Sequence, residues 1–267
     1  MTDAHEPSRV TSAFHAGRPA LVAYLMAGYP DRERSVEALH AVAAAGADVI
    51  ELGVPYGDAL ADGPTIVRAA NEAMRAAPGG FGLAEAIDVA AEFLGDQRAE
   101  DRPPVLLMTY YNPMLRAGLD VVAQRAREAG VSGFIVPDMP PEVAEEWLSV
   151  SRGLDTVFLV APTSTPDRLE LVGRISRGFV YCVSTTGVTG ERDSVPAGLA
   201  RTVERVRAAT ALPVAVGFGV STPAQAAQVA QIADGVVVGS AIVKRQDNLA
   251  ELGAFVSELA QVVHVAG

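Results

Sequence analysis

The chain has 267 residues, 49% of them hydrophobic, 20% charged and 6% aromatic, and its 21 Lys plus Arg against 32 Asp plus Glu leave a formal charge of −11. That length and apolar content suit one large α/β domain, or two small ones, and exclude a disordered chain. The negative balance excludes nucleic acid and anionic membrane as principal partners, because phosphate surfaces repel it.

Residues 1–10 are polar, without the apolar stretch of a signal peptide, and no run approaches 18 apolar residues. The expectation is a chain without a membrane span, working in the cytoplasm. Short β-rich runs then alternate with stretches of helical period. Strands are expected at 20–26, 49–52, 105–110, 134–136, 156–160, 179–184, 214–216 and 235–238, apolar on both faces as parallel strands between two layers are. The helical stripes between them are Leu83, Ile87, Ala90 and Leu94; Leu119, Val122, Ala126 and Ala129; Val143, Trp147 and Val150; and Leu249, Leu252, Val256, Leu259 and Val263. Thr165-Pro166 and Thr222-Pro223-Ala224-Gln225 supply start signals: an N-cap and a Pro at the first helical position, joined in the second case by a capping-box Gln.

Ala47-Asp48-Val49-Ile50-Glu51-Leu52-Gly53 is echoed by Ala233-Asp234-Gly235-Val236-Val237-Val238-Gly239, each running through an apolar strand to a closing Gly. Eight βα units in this length predict a (β/α)8 (TIM) barrel occupying residues 1–267 as a single domain, with an extra short N-terminal helix and loop insertions. A doubly wound open sheet is the competitor, but no Gly-x-Gly-x-x-Gly follows the first strand, where Met26-Ala27-Gly28-Tyr29-Pro30 stands instead.

Scarcities narrow the chemistry. Cys182 is the sole cysteine, so no intrachain disulfide forms, and with no nearby His it reads as a buried thiol rather than a nucleophile. His5, His15, His40 and His264 have no zinc-ligand spacing, and Lys244, the only lysine, lies past the eighth strand. Schiff-base and pyridoxal-phosphate chemistry in this chain is therefore not expected.

In a barrel, catalytic groups stand at the C-terminal ends of strands. There the second strand offers Glu51, its following loop Asp58 and Asp62, and the fourth strand Asp138. Glu51 starts inside an apolar strand, so burial should lift its pKa and let it carry a proton. Asp62, in a more polar loop, should stay ionised; Asp58 and Asp62 are equally readable as turn or helix-cap residues. Four carboxylates would also suit Mg²⁺, but no spacing selects it. Gly217-Phe218-Gly219 and Gly239-Ser240 follow the last two strands, where backbone N–H groups commonly grip a phosphate in this fold. Ser184-Thr185-Thr186-Gly187-Val188-Thr189-Gly190-Glu191 has the composition of a lid or of an ordinary loop. Tyr24, Tyr110 and Tyr181 could wall a pocket for a flat ring or simply fill the core.

Several of these stretches together resemble the signature of the tryptophan synthase α subunit family. They are Glu51-Leu52-Gly53-Val54-Pro55-Tyr56 with Asp58 and Ala61-Asp62-Gly63-Pro64-Thr65-Ile66, then Leu107-Met108-Thr109-Tyr110-Tyr111-Asn112-Pro113 and Val136-Pro137-Asp138-Met139-Pro140. Ala161-Pro162-Thr163-Ser164-Thr165, Gly187-Val188-Thr189-Gly190, Gly217-Phe218-Gly219 and Gly239-Ser240-Ala241-Ile242-Val243 follow in the same order, so that the resemblance runs from about residue 14 to about residue 263.

The resemblance implies a lyase that cleaves indole-3-glycerol phosphate to indole and glyceraldehyde 3-phosphate, with no metal or Schiff base. It implies Glu51 as the acid/base at indole C3 and the glycerol hydroxyl, and Asp62 facing the indole N–H. Tyr24, Ile66, Met108, Tyr110 and Tyr181 would wall the indole, while the backbone of Gly190, Gly219, Gly239 and Ser240 would hold the phosphate. Gly187 and Thr189 would belong to the lid, with Thr189 bonded to Asp62 on closure. The expected partner is a β subunit, in an α2β2 heterotetramer, which would carry the pyridoxal phosphate; this chain would need no cofactor.

Tyr56-Gly57-Asp58-Ala59 stands where the family usually has Phe/Tyr-Ser-Asp-Pro, in the loop that meets the β subunit, and the extra Gly should loosen it. Val67 stands where Gln is common, and Thr185 where some members have Arg. Three other readings remain: a stand-alone indole-releasing paralogue, a catalytically idle activator of a β partner, and a sugar-phosphate epimerase, the last lacking its His and metal ligands.

Overall fold

The computed structural model describes residues 8–14, 17–59, 62–95, 102–183, 198–217 and 219–266. A short helix, α1 (Arg9–Ala13), precedes β1 (Ala20–Met26) and α2 (Arg32–Ala44). β2 (Val49–Gly53) leads to α3 (Pro64–Ala76) and α4 (Leu83–Gly95); β3 (Val105–Met108) leads to α5 (Tyr111–Ala117) and α6 (Leu119–Glu128). β4 (Gly133–Ile135) is followed by a 3₁₀ turn (Pro141–Val143) and α7 (Glu145–Val150), and β5 (Asp155–Val157) with β6 (Leu159–Val160) by α8 (Pro166–Ile175). β7 (Val180–Val183) precedes α9 (Leu199–Arg207), β8 (Val214–Gly217) precedes α10 (Pro223–Ala230), and β9 (Gly235–Val238) precedes α11 (Ser240–Val243) and α12 (Leu249–His264).

All pairings are parallel, in the order β5-β4-β3-β2-β1-β9-β8-β7-β6. The two end strands are consecutive in the chain, separated only by Phe158. The strand expected at 156–160 is thus the seam of a (β/α)8 barrel: its first half pairs with β4 and its second with β7. A sheet that closes on itself must stagger its register, and here the strand changes neighbours at Phe158, whose carbonyl still accepts from the Tyr181 N–H at 3.1 Å.

Other boundaries shift for local reasons. The third strand stops at Met108 rather than 110, because Tyr111 N–H turns to the Asp138 carboxylate at 2.8 Å and opens α5 with Tyr110 as its cap residue. Val143 is not on the α7 stripe: it ends the 3₁₀ turn opened by Pro140-Pro141 and is 55% exposed. Trp147 is wholly buried and donates to Thr156 Oγ1 at 3.1 Å. Both expected Thr N-caps form, and Thr222 with Gln225 makes the full capping box.

Strand parity sorts the side chains into two cores. Val22, Tyr24, Met26, Val49, Leu106, Met108, Ile135, Val157, Tyr181 and Val237 pack inside the barrel. Their alternates, such as Leu21, Leu25, Ile50, Leu52, Leu107 and Phe134, pack under the helices. Glu51 pairs with Tyr24 on one side and Leu106 on the other, so it shares their inward face. The expected N-terminal helix closes the bottom: Val10 and Phe14 enter the inner core, with the Phe14 and Phe179 rings 5.0 Å apart. Among the described residues no helix is long and apolar enough to cross a membrane.

The internal echo has a physical meaning. Asp48 Oδ2 accepts from the Leu21 N–H at 2.8 Å while the Asp48 carboxylate takes both Arg18 nitrogens, at 2.8 and 3.1 Å, and His264 Nε2 at 2.8 Å. Asp234 Oδ2 likewise accepts from the Val214 N–H at 2.8 Å and holds Arg207 at 2.7 Å. In each case an Asp just before a strand fastens it to its neighbour. Replacing Asp48 by Ala leaves the Leu21 N–H without its acceptor and the Arg18 guanidinium without its carboxylate, and is expected to cost about 1–3 kcal/mol. Glu37→Ala, which breaks the exposed Arg34 pair, should cost about 0–1 kcal/mol. Urea unfolding measures both, and equal losses would refute the ranking.

Candidate active site

At the C-terminal mouth, two inward tyrosines find room because the neighbouring strand ends in glycine. A Cβ on Gly53 would lie 2.0 Å from Tyr24 Oη, and one on Gly217 would lie 2.2 Å from Tyr181 Oη. Gly217, expected to approach an anion, instead makes space for a phenol. The tyrosines, with Ile66 and Met108, wall a cavity of about 580 Å³ counted to its open mouth. Glu51 and Asp62 face into it, and Gly219, Gly239 and Ser240 form part of its lining.

Glu51 is 2% exposed, and its Oε2 has no hydrogen-bond partner among the described residues. Burial, aided by the negative charge of Asp62, pushes its pKa up to about 8. It is thus a neutral acid at pH 7 with an oxygen free for a ligand. Asp62 is half-buried; burial raises it to about 6, opposed by a hydrogen bond from Tyr110. It stays mainly ionised at neutral pH, though less freely than its loop position suggested. The helix-cap reading of Asp62 does not hold, because Gly63 rather than Asp62 is the N-cap residue of α3. Burial raises the Tyr24 and Tyr181 hydroxyls well above their ordinary range, so both remain donors beside Glu51.

Tyr110 does not line the cavity. It holds Asp62, and its ring packs 5.3 Å from Tyr56, whose hydroxyl accepts from Asn112 Nδ2 at 3.0 Å. Asp58 is exposed in the turn after β2. Asp138 serves α5 rather than the cavity. Cys182 lies in the outer core, where burial pushes its thiol up to about 12. Gly187, Thr189 and Gly190, with the rest of the proposed lid, lie outside the described residues, as does Phe218. Among the described residues no three His, Cys, Asp or Glu are grouped to hold a metal.

Ile135, Leu159, Val220 and Val237 also line the cavity. The sequence reading missed them, although the parity of β4 and β9 marks Ile135 and Val237 as inward residues near strand ends. Gly219 has φ +99°, a conformation that favours glycine, and Gly239 leads directly into α11. Gly219, Gly239 and Ser240, which follow the last two strands, thus line the same cavity as the two carboxylates.

A buried, protonated carboxyl beside a second carboxylate in a cavity at the C-terminal mouth of the barrel is the arrangement of a (β/α)8 enzyme. The family model for the tryptophan synthase alpha chain matches residues 11–264. The tryptophan synthase alpha chain of Mycobacterium tuberculosis is 46% identical over 97% of this chain and 96% of its own length, and that of Solibacter usitatus 47% identical over 91% and 89%. A structure of M. tuberculosis tryptophan synthase superposes with a TM-score of 0.88 at 44% identity, covering 97% of this chain and 99% of that one. The alpha subunit structure from Legionella pneumophila gives 0.86 at 32% identity, covering 97% and 99%. The chain belongs to the tryptophan synthase alpha chain family and is a lyase of tryptophan biosynthesis.

Between the ordinary carboxylate pKa of 4.5 and the folded value of about 8, the native protein holds a Glu51 proton that the unfolded chain has released. Stability must therefore fall as pH rises through that window. Glu51→Gln, neutral throughout, should lose less stability there and melt above the wild type beyond pH 8. Parallel melting curves for the two proteins across the window would remove the basis for a neutral Glu51.

Proposed function

We propose that this chain cleaves indole-3-glycerol phosphate to indole and glyceraldehyde 3-phosphate with Glu51 as the single proton carrier. The supporting observation is the pairing of a neutral buried Glu51, whose Oε2 lacks a partner among the described residues, with a more acidic Asp62 in one cavity. Glu51 gives its proton to indole C3, and the positive charge that develops at the ring nitrogen is stabilised by Asp62. The Glu51 carboxylate then takes the proton of the glycerol hydroxyl as the C3–carbon bond breaks and its electron pair returns to the ring. Glu51 ends as it began, and no cofactor enters.

Tyr24, Ile66, Met108 and Tyr181 form the indole walls, and Tyr110 acts through Asp62. The backbone at Gly219, Gly239 and Ser240 takes the phosphate, with Gly190 and the Thr189 lid assigned on family resemblance. The enzyme works in the cytoplasm beside a β subunit that carries the pyridoxal phosphate. Asp58, exposed in its turn, is assigned to the partner-contact loop on family resemblance.

The chemistry requires Asp62 ionised and Glu51 protonated together. Log kcat/KM plotted against pH should therefore rise with a limb near 6 and fall with one near 8. Glu51→Gln and Asp62→Asn should each lower turnover by at least about 10²-fold. Full activity in Glu51→Gln would remove Glu51 as the proton carrier, and a wild type that releases no indole, alone or with a β subunit, would leave the chain an idle activator. Titrating a β subunit into an indole-release assay should raise turnover; no rise at any ratio would make it a stand-alone indole-releasing enzyme, as the Gly57 loop permits.

A further inference from the structure

Gln246 lies three residues past the end of α11 and is wholly buried, yet the proposed chemistry gives it no part. Its polar atoms all engage backbone. Oε1 accepts from the Met26 N–H at 2.9 Å, and Nε2 donates to the carbonyls of Met26 at 2.7 Å and Tyr29 at 2.8 Å.

Sheet geometry explains why a carboxamide stands there. The Ala20 N–H donates toward β9, to the Asp234 carbonyl, whereas the Ala27 N–H donates toward β2, to Gly53. Even-numbered residues of β1 therefore turn their peptide groups toward β9. The β1–β9 register ends at Ala23 opposite Val238, after which the chain turns through Gly239 into α11. Met26, 1% exposed, is left presenting an N–H and a C=O to an edge that β9 has vacated. A carboxamide carries the same donor and acceptor as a peptide group, and Gln246 fills the missing strand position.

We propose that Gln246 is a positioning residue for the phosphate cradle. Two backbone bonds connect it to the cradle: Gln246 N–H donates to the Val243 carbonyl at 3.2 Å, and Val243 N–H to the Gly239 carbonyl at 3.0 Å. Fastening Gln246 to the rim of β1 thus fixes where Gly239 and Ser240 stand relative to Tyr24, Glu51 and the indole walls. The proposal rests on the assignment of the phosphate to Gly239 and Ser240. A residue that merely filled the core would affect stability without distinguishing anionic from uncharged ligands.

The test compares the wild-type chain with Gln246→Met, which keeps the volume and loses all three bonds, and Gln246→Glu, which keeps an acceptor. Glyceraldehyde 3-phosphate and inorganic phosphate serve as anionic probes, and indole as the uncharged one, in titration calorimetry alongside cleavage kinetics. In Gln246→Met the Kd for glyceraldehyde 3-phosphate and the KM for indole-3-glycerol phosphate should rise about 10- to 100-fold. Its kcat should change by less than about threefold, the pattern of lost uniform binding, and indole affinity should hold; Gln246→Glu should fall between. Equal losses for indole and the phosphate ester, wild-type affinity for both, or failure of both variants to fold would overturn the positioning role. A wild type that binds neither anionic probe would instead overturn the phosphate assignment, and this proposal with it.

Discussion

The site depends on removing one carboxyl group from water. Glu51 occupies an inward position of β2 between Tyr24 and Leu106, among the side chains of the inner core. In water its proton would leave near pH 4.5; in the barrel it leaves near 8. The fold opposes this ionisation and gains a carboxyl group that still holds its proton at neutral pH. Asp62 experiences the same environment less fully and keeps a Tyr110 donor, which separates the two pKa values. Two residues of nearly identical intrinsic acidity thus acquire different roles from burial and one hydrogen bond.

The rest of the mouth serves that pair. The tyrosines flank Glu51 only because Gly53 and Gly217 yield space to their hydroxyls. The opposite side is set by where β9 leaves the sheet, and Gln246 repairs the edge left behind. The same departure that turns the chain through Gly239 into α11 therefore leaves the Met26 peptide groups without a strand partner, and one side chain compensates.

What was legible in the sequence was what is local. The Thr222–Gln225 capping box, the apolar strand runs and the acid within Val49-Ile50-Glu51-Leu52-Gly53 are each contained in a few residues. What was not legible depends on partners distant in the chain. No local pattern shows that the strand at 156–160 divides at Phe158, because the division follows from which neighbours β4 and β7 offer. The end of β3 is set by Asp138, 27 residues beyond Tyr111. Tyr110 read as a pocket wall, since sequence gives its type but not that its hydroxyl engages Asp62. Gln246, in a polar turn, reads as solvated until the path of β9 is known.

The Asp48 fastening has a consequence at the far end of its strand. Side chains on a strand alternate between faces, so a slip of one residue would turn Ile50 inward and Glu51 out beneath the helices. Leu21 N–H to Asp48 Oδ2, and Asp48 N–H to the Leu21 carbonyl, lock the first rung of the β1–β2 ladder on both strands. The base of the barrel thereby acts as an index mark for its mouth: a carboxylate at the foot of β2 decides which of two adjacent side chains faces the cavity.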